Sequence, residues 1–317
     1  MVVKGGPDII TDGLVFNLDA AGAVSDRAYP INGLPVEYLI VAGGGAGGRH
    51  HGGGGGAGGL LHGYTRASLS TGSYTVVVGA GGAKNTGTNS SPHVAASNGQ
   101  NSSVFGLTSI GGGGGGQYNV QNAGSGGSGG GSANWSTSRA GGSGTSGQGY
   151  AGSNGSTYQN TGGGGGGSGG SPNSENNRNN GGIGKYYGYS FGRSLGDDGW
   201  FAGGGAAGTY GPVCGATTYT RYTGANIGGQ GGGAIGGYGC HGNAVHAANG
   251  QANTGGGGGG QPAYNFLAGN GGSGVVIIKY KGPQKATGGD SIITRQGYTI
   301  HVFTSSGTFT VGGRVGG

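Results

Sequence analysis

Val36-Glu37-Tyr38-Leu39-Ile40-Val41-Ala42 runs without a break into Gly43-Gly44-Gly45, so an apolar, strand-like stretch feeds straight into glycine. Such a run, rich in Val, Ile and Tyr, reads as a buried β-strand. The unit recurs: Ser103-Val104-Phe105 and Thr108-Ser109-Ile110 lead into the glycine block 111–116, and Gly162–Gly167, Gly231–Gly233 and Gly255–Gly260 are further blocks. In all, 95 of the 317 residues are glycine. Fixing a backbone costs roughly 1–2 kcal/mol per residue and glycine has the most freedom to lose, so ordering these glycines costs on the order of 100 kcal/mol. No glycine side chain offsets that by apolar burial. The blocks are therefore either disordered or held together by backbone hydrogen bonds.

Composition favours order. Charged residues make up 8% of the chain and Tyr contributes 17 residues, whereas disordered sequences are rich in charge and poor in aromatics. The hydrophobic fraction of 32% lies below the roughly 45–50% of globular domains, so one small apolar core is the most this chain can bury.

Working outward, Gly13–Leu18 is a strand candidate inside a segment, 1–33, too short to fold alone and expected to dock on the rest of the chain or on a partner. Tyr74–Val78 is another strand. Between residues 111 and 274 almost nothing reads as strand or helix. The β pattern returns at Val275–Tyr280, Tyr298–Phe303 and Thr308–Val311, the last two joined by a Ser305-Ser306-Gly307 turn. No helical periodicity of useful length is present, and glycine opposes helix by about 1 kcal/mol per residue.

Polyproline-II geometry leaves N–H and C=O groups pointing outward, where they can bond neighbouring helices if side chains are absent, as at the axis of collagen. Each contact adds N–H···O bonds of about 1 kcal/mol and Cα–H···O bonds of about 0.5–1 kcal/mol. Six glycines at about 3.1 Å each span roughly 19 Å, the length of an ordinary strand. Ser125-Gly126-Gly127-Ser128-Gly129-Gly130 repeats every three residues, which puts one face of each turn outward or at a lattice edge. The expected fold is all-β. It is a small antiparallel β-sandwich from strands near 36–42, 73–80, 103–110, 275–280, 298–303 and 308–311, forming one domain over 34–317 with a bundle of polyglycine-II helices inserted at about 111–274.

Several functions are excluded. The net charge of +6 comes from dispersed basic residues, without the cluster of a nucleic-acid footprint. No stretch approaches the apolar length of a membrane span and the start lacks a secretion-signal core. Gly43, Gly45 and Gly48 satisfy a dinucleotide-binding spacing, yet Arg49-His50-His51 and more glycine follow where a helix is required. Gly184-Lys185-Tyr186 lacks the residues of a phosphate-binding loop. His50, His51 and His62, and Cys240 and His241 with His246, lack the paired spacing of a zinc site and read as surface loop residues. Cys214 and Cys240 are either one disulfide or two thiols. With nine acidic residues, of which Asp197-Asp198 should diverge, no acid–base pair stands out, so the chain is expected to be non-enzymatic, with no cofactor and no metal.

The segments between glycine blocks are rich in Tyr, Trp, Asn, Ser and Arg, the composition of binding loops. They are 117–122, 134–139, 173–200 and 209–226. Candidate receptor-binding residues are Tyr118, Trp135, Arg139, Tyr186, Tyr187, Tyr189, Phe191, Arg193, Trp200, Tyr210, Tyr219 and Arg221. Their alternative role is to cap the exposed ends of the glycine helices.

The stretches VEYLIVAGGGAGG, SYTVVVGAGG, SVFGLTSIGGGGGG, TGGGGGGSGG, GGSGVVIIKY and YTIHVFTSSGTFTV together resemble the glycine-rich structural proteins of tailed phages, over nearly the whole chain from residue 36. The opening GGPDIITDGLVFNLDA is similar to the start of many phage virion proteins. The polyglycine packing is similar to that of T-even-type tail-fibre tip adhesins, although this sequence carries no long N-terminal segment for fibre attachment. The LIVAGGG-type strand and block also looks like the glycine-rich region of the anaplastic lymphoma kinase receptor family. The phage resemblance implies a virion surface protein, assembled in the host cytoplasm. It would bind a host-cell surface glycan or protein and other virion subunits, either as a homotrimer or as one chain per site, without nucleic acid or membrane insertion. The alternatives are a capsid decoration or head-fibre protein anchored by residues 1–33 and, more distantly, an ice-binding protein.

Overall fold

The computed structural model describes residues 33–65, 67–85, 96–118, 122–134, 140–155, 161–172, 180–210, 226–239, 245–262 and 266–312. The Gly13–Leu18 strand candidate and both cysteines lie outside them. Regular structure is nearly all β. The strands are β1 (Glu37–Val41), β2 (Leu60–Tyr64), β3 (Gly72–Val76), β4 (Ser102–Val104), β5 (Leu107–Ser109), β6 (Lys185–Tyr186), β7 (Trp200–Phe201), β8 (Thr209–Tyr210), β9 (Tyr238–Gly239), β10 (Val275–Lys281), β11 (Ala286–Thr287), β12 (Ser291–Arg295), β13 (Tyr298–Phe303) and β14 (Gly307–Val311). One helical turn, α1 (Gly188–Phe191), stands among them.

An antiparallel five-stranded sheet has the order β12-β13-β10-β1-β2, and a three-stranded one the order β11-β14-β3. The β4-β5 hairpin joins β3 through a bridge between Val77 and Ser103. Ile40, Val276, Ile278 and Phe303 of the larger sheet share one buried apolar cluster with Val76, Val104, Phe309 and Val311. The alternate residues Leu39, Val41, Val275, Ile277, Ile300 and Val302 are buried in a second cluster with Phe191, Phe201 and Ala57. Both faces of β1 and β10 are thus covered, which explains why their sequences are continuous apolar runs without alternation.

Three strands depart from the expectation. β2 contains Gly63 and His62 and follows a glycine block, and β12, an edge strand with mostly exposed residues, alternates too weakly to read as apolar. β11 is two residues long. Within 111–274, where no strand was expected, β6 to β9 and α1 are brief pairings that punctuate the glycine segments.

The glycine segments are neither helix nor sheet, and their hydrogen bonds repeat every third residue. Gly43 and Ala46 donate to the carbonyls of Gln100 and Ser97 (both 3.0 Å), Gly44 and Gly47 to Gly272 and Gly269 (both 2.9 Å), and Gly45 and Gly48 to Gly56 and Gly53 (both 2.8 Å). The next segment behaves alike: Gly53, Gly56 and Gly59 donate to Gly116, Gly113 and Ile110, Gly54 and Ala57 to Gly163 and Gly166, and Gly52, Gly55 and Gly58 to Gln261, Gly258 and Gly255. Successive N–H groups therefore leave in three directions, which a helix (own chain) and a strand (two sides) do not allow. The network includes 42–59, 79–84 and 96–101 as well as the expected 111–274. A Cβ on Gly45 would lie 2.1 Å from the Gly113 oxygen, and one on Gly55 2.1 Å from that of Gly45. Only glycine permits this approach. The Ser125–Gly130 repeat is not one continuous rod. Gly127 meets Gly111 and Gly124 meets Gly114, whereas Gly113 meets Ser128 and Gly116 meets Gly131, so the chain reverses between them and Ser128 is fully buried.

The segments run to and fro between two ends. At the sheet end lie Ala42, Gly59, Ile110, Gly79 and Gly274. At the other, the tip, Gly48 meets Gly53, Gly53 meets Gly116, Gly162 meets Gly208, Gly163 meets Ser132 and His51 meets Pro262. Where a neighbour is missing, a polar side chain takes its place. The Oδ1 atoms of Asn98, Asn101, Asn154, Asn180 and Asn249 accept the N–H groups of Gly114, Gly111, Gly141, Ile227 and Asn270 at 2.8–3.0 Å. Among the described residues these five asparagines thus act as hydrogen-bonding devices at the edges of the network.

Candidate functional site

The candidate residues fall at opposite ends of the molecule. Tyr186, Tyr187, Tyr189, Phe191, Arg193 and Trp200 gather at the sheet end, on the 185–201 stretch laid over the larger sheet. Cross-strand register places Tyr64, Glu37, Lys279 and Ile300 in one row of that sheet. α1 closes on this row: Glu37 Oε1 accepts from Ser190 Oγ (2.5 Å) and pairs with His62 Nε2 (3.0 Å), while Lys279 Nζ donates to Glu37 Oε2 (2.8 Å) and Ser190 Oγ (2.9 Å). Glu37 is 6% exposed. Burial by itself would raise its carboxyl, but hydrogen bonds from His62, Lys279 and Ser190 and the Lys279 charge outweigh it and hold the group at about 2. Lys279 also sits over the Tyr298 ring at 4.6 Å and the Phe191 ring at 5.6 Å.

Around this charge cluster Tyr186 packs on Trp200 (5.3 Å) and Tyr187 on His62 (4.6 Å). Burial raises the Tyr187 hydroxyl above its usual value. Phe191, 2% exposed, belongs to the core and supports the patch from beneath. Tyr189 and Tyr64 are exposed, at 74% and 68%. Arg193 pairs with Asp198 on the surface, while Asp197 accepts from the Gly231 and Gly232 amides (2.9 and 3.2 Å), so the adjacent acids diverge as their spacing implied. Glu37 stands between Ser190 and His62, so no imidazole reaches the hydroxyl, and a carboxylate held this acidic is a poor general base. The arrangement is a buried ion-pair and hydrogen-bond cluster beneath an aromatic surface.

Tyr118 stands at the tip, as does the backbone of Tyr210. Trp135, Arg139, Tyr219 and Arg221 lie outside the described residues, as does the Tyr210 side chain. The described residues on either side of 86–95, 119–121, 135–139, 156–160, 173–179, 211–225, 240–244 and 263–265 all lie toward this end. Sequence reasoning missed what organises it. His50 and His51, expected to decorate a surface, are buried (5% and 3% exposed), as is Arg49 beside them (8%). His50 and His51, at φ +48° and +54°, turn the chain between segments 42–48 and 52–59. Their carbonyls accept from Tyr118 N (3.3 Å) and Asn134 N (3.0 Å), His51 N donates to the Pro262 carbonyl (3.0 Å), and the His50 ring lies 4.2 Å from that of Tyr118. Two non-glycine residues with positive φ side by side require a surrounding structure that holds them. His62 belongs to the other end, which separates the histidine trio grouped by sequence.

Among the described residues no three His, Cys, Asp or Glu side chains converge to hold a metal, and no helix is long and apolar enough to cross a membrane. No curated protein and no solved structure matches the chain. The family described as a glycine-rich domain matches residues 21–281, from before β1 to the last residue of β10. With that match covering most of its length and every glycine block, the chain belongs to the glycine-rich domain family.

Proposed function

We propose that this is a non-enzymatic surface protein of a phage particle, in which the two sheets form a β-sandwich, the glycine segments form a polyglycine-II bundle, and loops at the tip bind the host-cell surface. The three-residue hydrogen-bond repeat supports the bundle, because three outward directions per turn are the geometry of that helix. Segments of six to eight residues at about 3.1 Å each hold the tip roughly 20 Å from the sheets. The observation that carries the receptor reading is that eight inter-segment stretches, whose sequences include Trp135, Arg139, Tyr219 and Arg221, are flanked by described residues toward one end. Variable loops on a rigid scaffold are where recognition is commonly built. Gly33, to which residues 1–32 are joined, belongs with Leu34, bridged to Leu69 at the sheet end. That end, with Tyr64, Tyr189 and Tyr298, faces other virion subunits in this scheme.

The test is retention of the purified, labelled chain on a panel of bacterial cells. Substituting Trp135, Arg139, Tyr219 and Arg221 together by Ser is expected to abolish retention on the cells the native chain binds while the unfolding midpoint stays put; Tyr189→Ser is expected to leave it unchanged. Equal retention of the tip variant would sink the receptor role, and labelling confined to phage heads would turn the proposal to capsid decoration.

A further inference from the structure

Asn98, Asn154, Asn180 and Asn249, which close edges of the glycine network through their Oδ1 atoms, are each followed directly by glycine. So is Asn270, whose Oδ1 accepts the Lys84 N–H at 2.7 Å. In all five pairs the glycine N–H also donates to a neighbouring segment. Gly99 bonds the Gly112 carbonyl (2.9 Å), Gly181 that of Ile227 (2.9 Å), Gly250 that of Asn270 (2.8 Å) and Gly271 that of Gly82 (2.9 Å), while Gly155 bonds Ser132 Oγ (2.6 Å). At Asn180-Gly181 and Asn249-Gly250 the side chain and the glycine grip the N–H and C=O of one residue, Ile227 and Asn270.

Asparagine before glycine is chemically fragile, because no Cβ shields the glycine nitrogen. That nitrogen gives up its proton to hydroxide and attacks the asparagine Cγ; a C–N bond forms, the Cγ–Nδ2 bond breaks, and Nδ2 leaves as ammonia. Water then opens the succinimide at either carbonyl, giving aspartate or, with the main chain rerouted through Cβ and Cγ, isoaspartate. In each pair here the proton that must leave is held by a neighbour, and Cγ is held by its oxygen against a different backbone amide. Burial of the side chain is not what protects it, since Asn98, Asn154 and Asn249 are exposed. Isoaspartate lengthens the main chain by one carbon, which throws a bonding pattern that repeats every third residue out of phase. The packing has no slack to absorb the shift: a Cβ on Gly99 would lie 2.0 Å from the Gly43 oxygen, and one on Gly271 1.9 Å from that of Gly44.

We propose that these five Asn-Gly pairs are sites of spontaneous deamidation, controlled by opening of the glycine network and able to make that opening irreversible. Each site then reacts at the unfolded-chain rate multiplied by the fraction of time it is open. Whole-domain opening is disfavoured by about 10³–10⁸ and edges open more readily, so the native chain should deamidate at these sites at least about a hundredfold more slowly than the chain held in urea. The experiment keeps the native full chain, the chain unfolded in urea, and Gly45→Ala in mildly alkaline buffer. Peptide mass spectrometry reads asparagine, aspartate and isoaspartate at each position. In urea the five sites should outpace Asn101, which accepts the Gly111 N–H but precedes Ser102. Gly45→Ala, whose Cβ forces Gly113 away, should move the native rates toward those in urea. When urea is removed, chains carrying isoaspartate at any of the five should stay in the protease-sensitive fraction. Asn249→Asp, which keeps an oxygen for the Asn270 N–H, should refold with the native urea midpoint. Equal rates in the native and urea-unfolded chains, or a Gly45→Ala rate no higher than the native one, overturn the control by the network. Isoaspartate at these positions in refolded, protease-resistant chains overturns the irreversibility.

Discussion

Gly45→Ala is the sharpest test of the glycine network. The added Cβ would meet the Gly113 oxygen at 2.1 Å and its carbonyl carbon at 2.4 Å, whereas ordinary contact begins at 3.4 Å, so the two segments must part by about 1.3 Å. Three buried bonds converge there: Gly45 N to Gly56 O (2.8 Å), Gly258 N to Gly45 O (2.9 Å) and Gly56 N to Gly113 O (2.8 Å). Lengthened by that much they pass beyond hydrogen-bonding distance. Each is worth about 1 kcal/mol net and overpacking adds about 1–3 kcal/mol, so the variant should lose about 4–6 kcal/mol. That is a large share of the roughly 5–15 kcal/mol of a typical domain. Gly307→Ala is the comparison: it stands exposed in β14 with its nearest contact, the Phe303 ring, at 3.7 Å. It should change stability by less than about 1 kcal/mol, in the stabilising direction. Urea unfolding followed by aromatic fluorescence reads both, and amide exchange should show protection at 43–48 and 52–59 in the native chain and its loss in Gly45→Ala. If Gly45→Ala unfolds within about 1 kcal/mol of the native chain, the close-packed network is wrong.

Other outcomes follow from the same geometry. Glu37, held at about 2 from an ordinary 4.5, contributes stability that is complete above about pH 4.5 and lost as pH falls toward 2. Glu37→Gln, which leaves Lys279 without its carboxylate, should cost about 2–4 kcal/mol at pH 7 and flatten that acid limb in unfolding titrations. His301 is fully buried between the Gly288 carbonyl (2.6 Å) and the Tyr280 hydroxyl (2.9 Å), and burial lowers its pKa more than the Gly288 carbonyl raises it. The unfolded imidazole binds its proton near 6.5, so this contribution is full above about pH 6.5 and declines below it. His301→Gln should remove that limb. Asn98→Ala, which orphans the buried Gly114 amide, should cost about 1–2 kcal/mol by urea midpoint. Phe191→Ala should cost about 3–5 kcal/mol, whereas Tyr189→Ser, exposed on the same turn, should cost under about 0.5 kcal/mol.

Much of the architecture could be read from residue order alone. Apolar runs such as 36–42 and 275–280 announce strands covered on both faces, and consecutive glycines leave the backbone as the sole source of cohesion. That the blocks are ordered followed from the scarcity of charge beside so much tyrosine. What residue order could not convey is which segments are neighbours. Gly45 touches Gly113 and Gly258, far away in the chain, and a glycine carries no side chain to record its partner. The partition of the candidate aromatics between two ends was hidden for the same reason, since direction along each segment depends on where the chain reverses. Reversals at Arg49-His50-His51 and at Gly126–Ser128 look like surface loop and regular repeat in one dimension. The edge strands β2 and β12 were illegible because half-exposed strands keep only a faint apolar alternation, and their pairing with β1 and β13 supplies the rest. Composition thus determined the kind of cohesion, backbone to backbone, while tertiary contact alone decided the partners and the two ends, because hydrogen bonds between identical peptide groups carry no address.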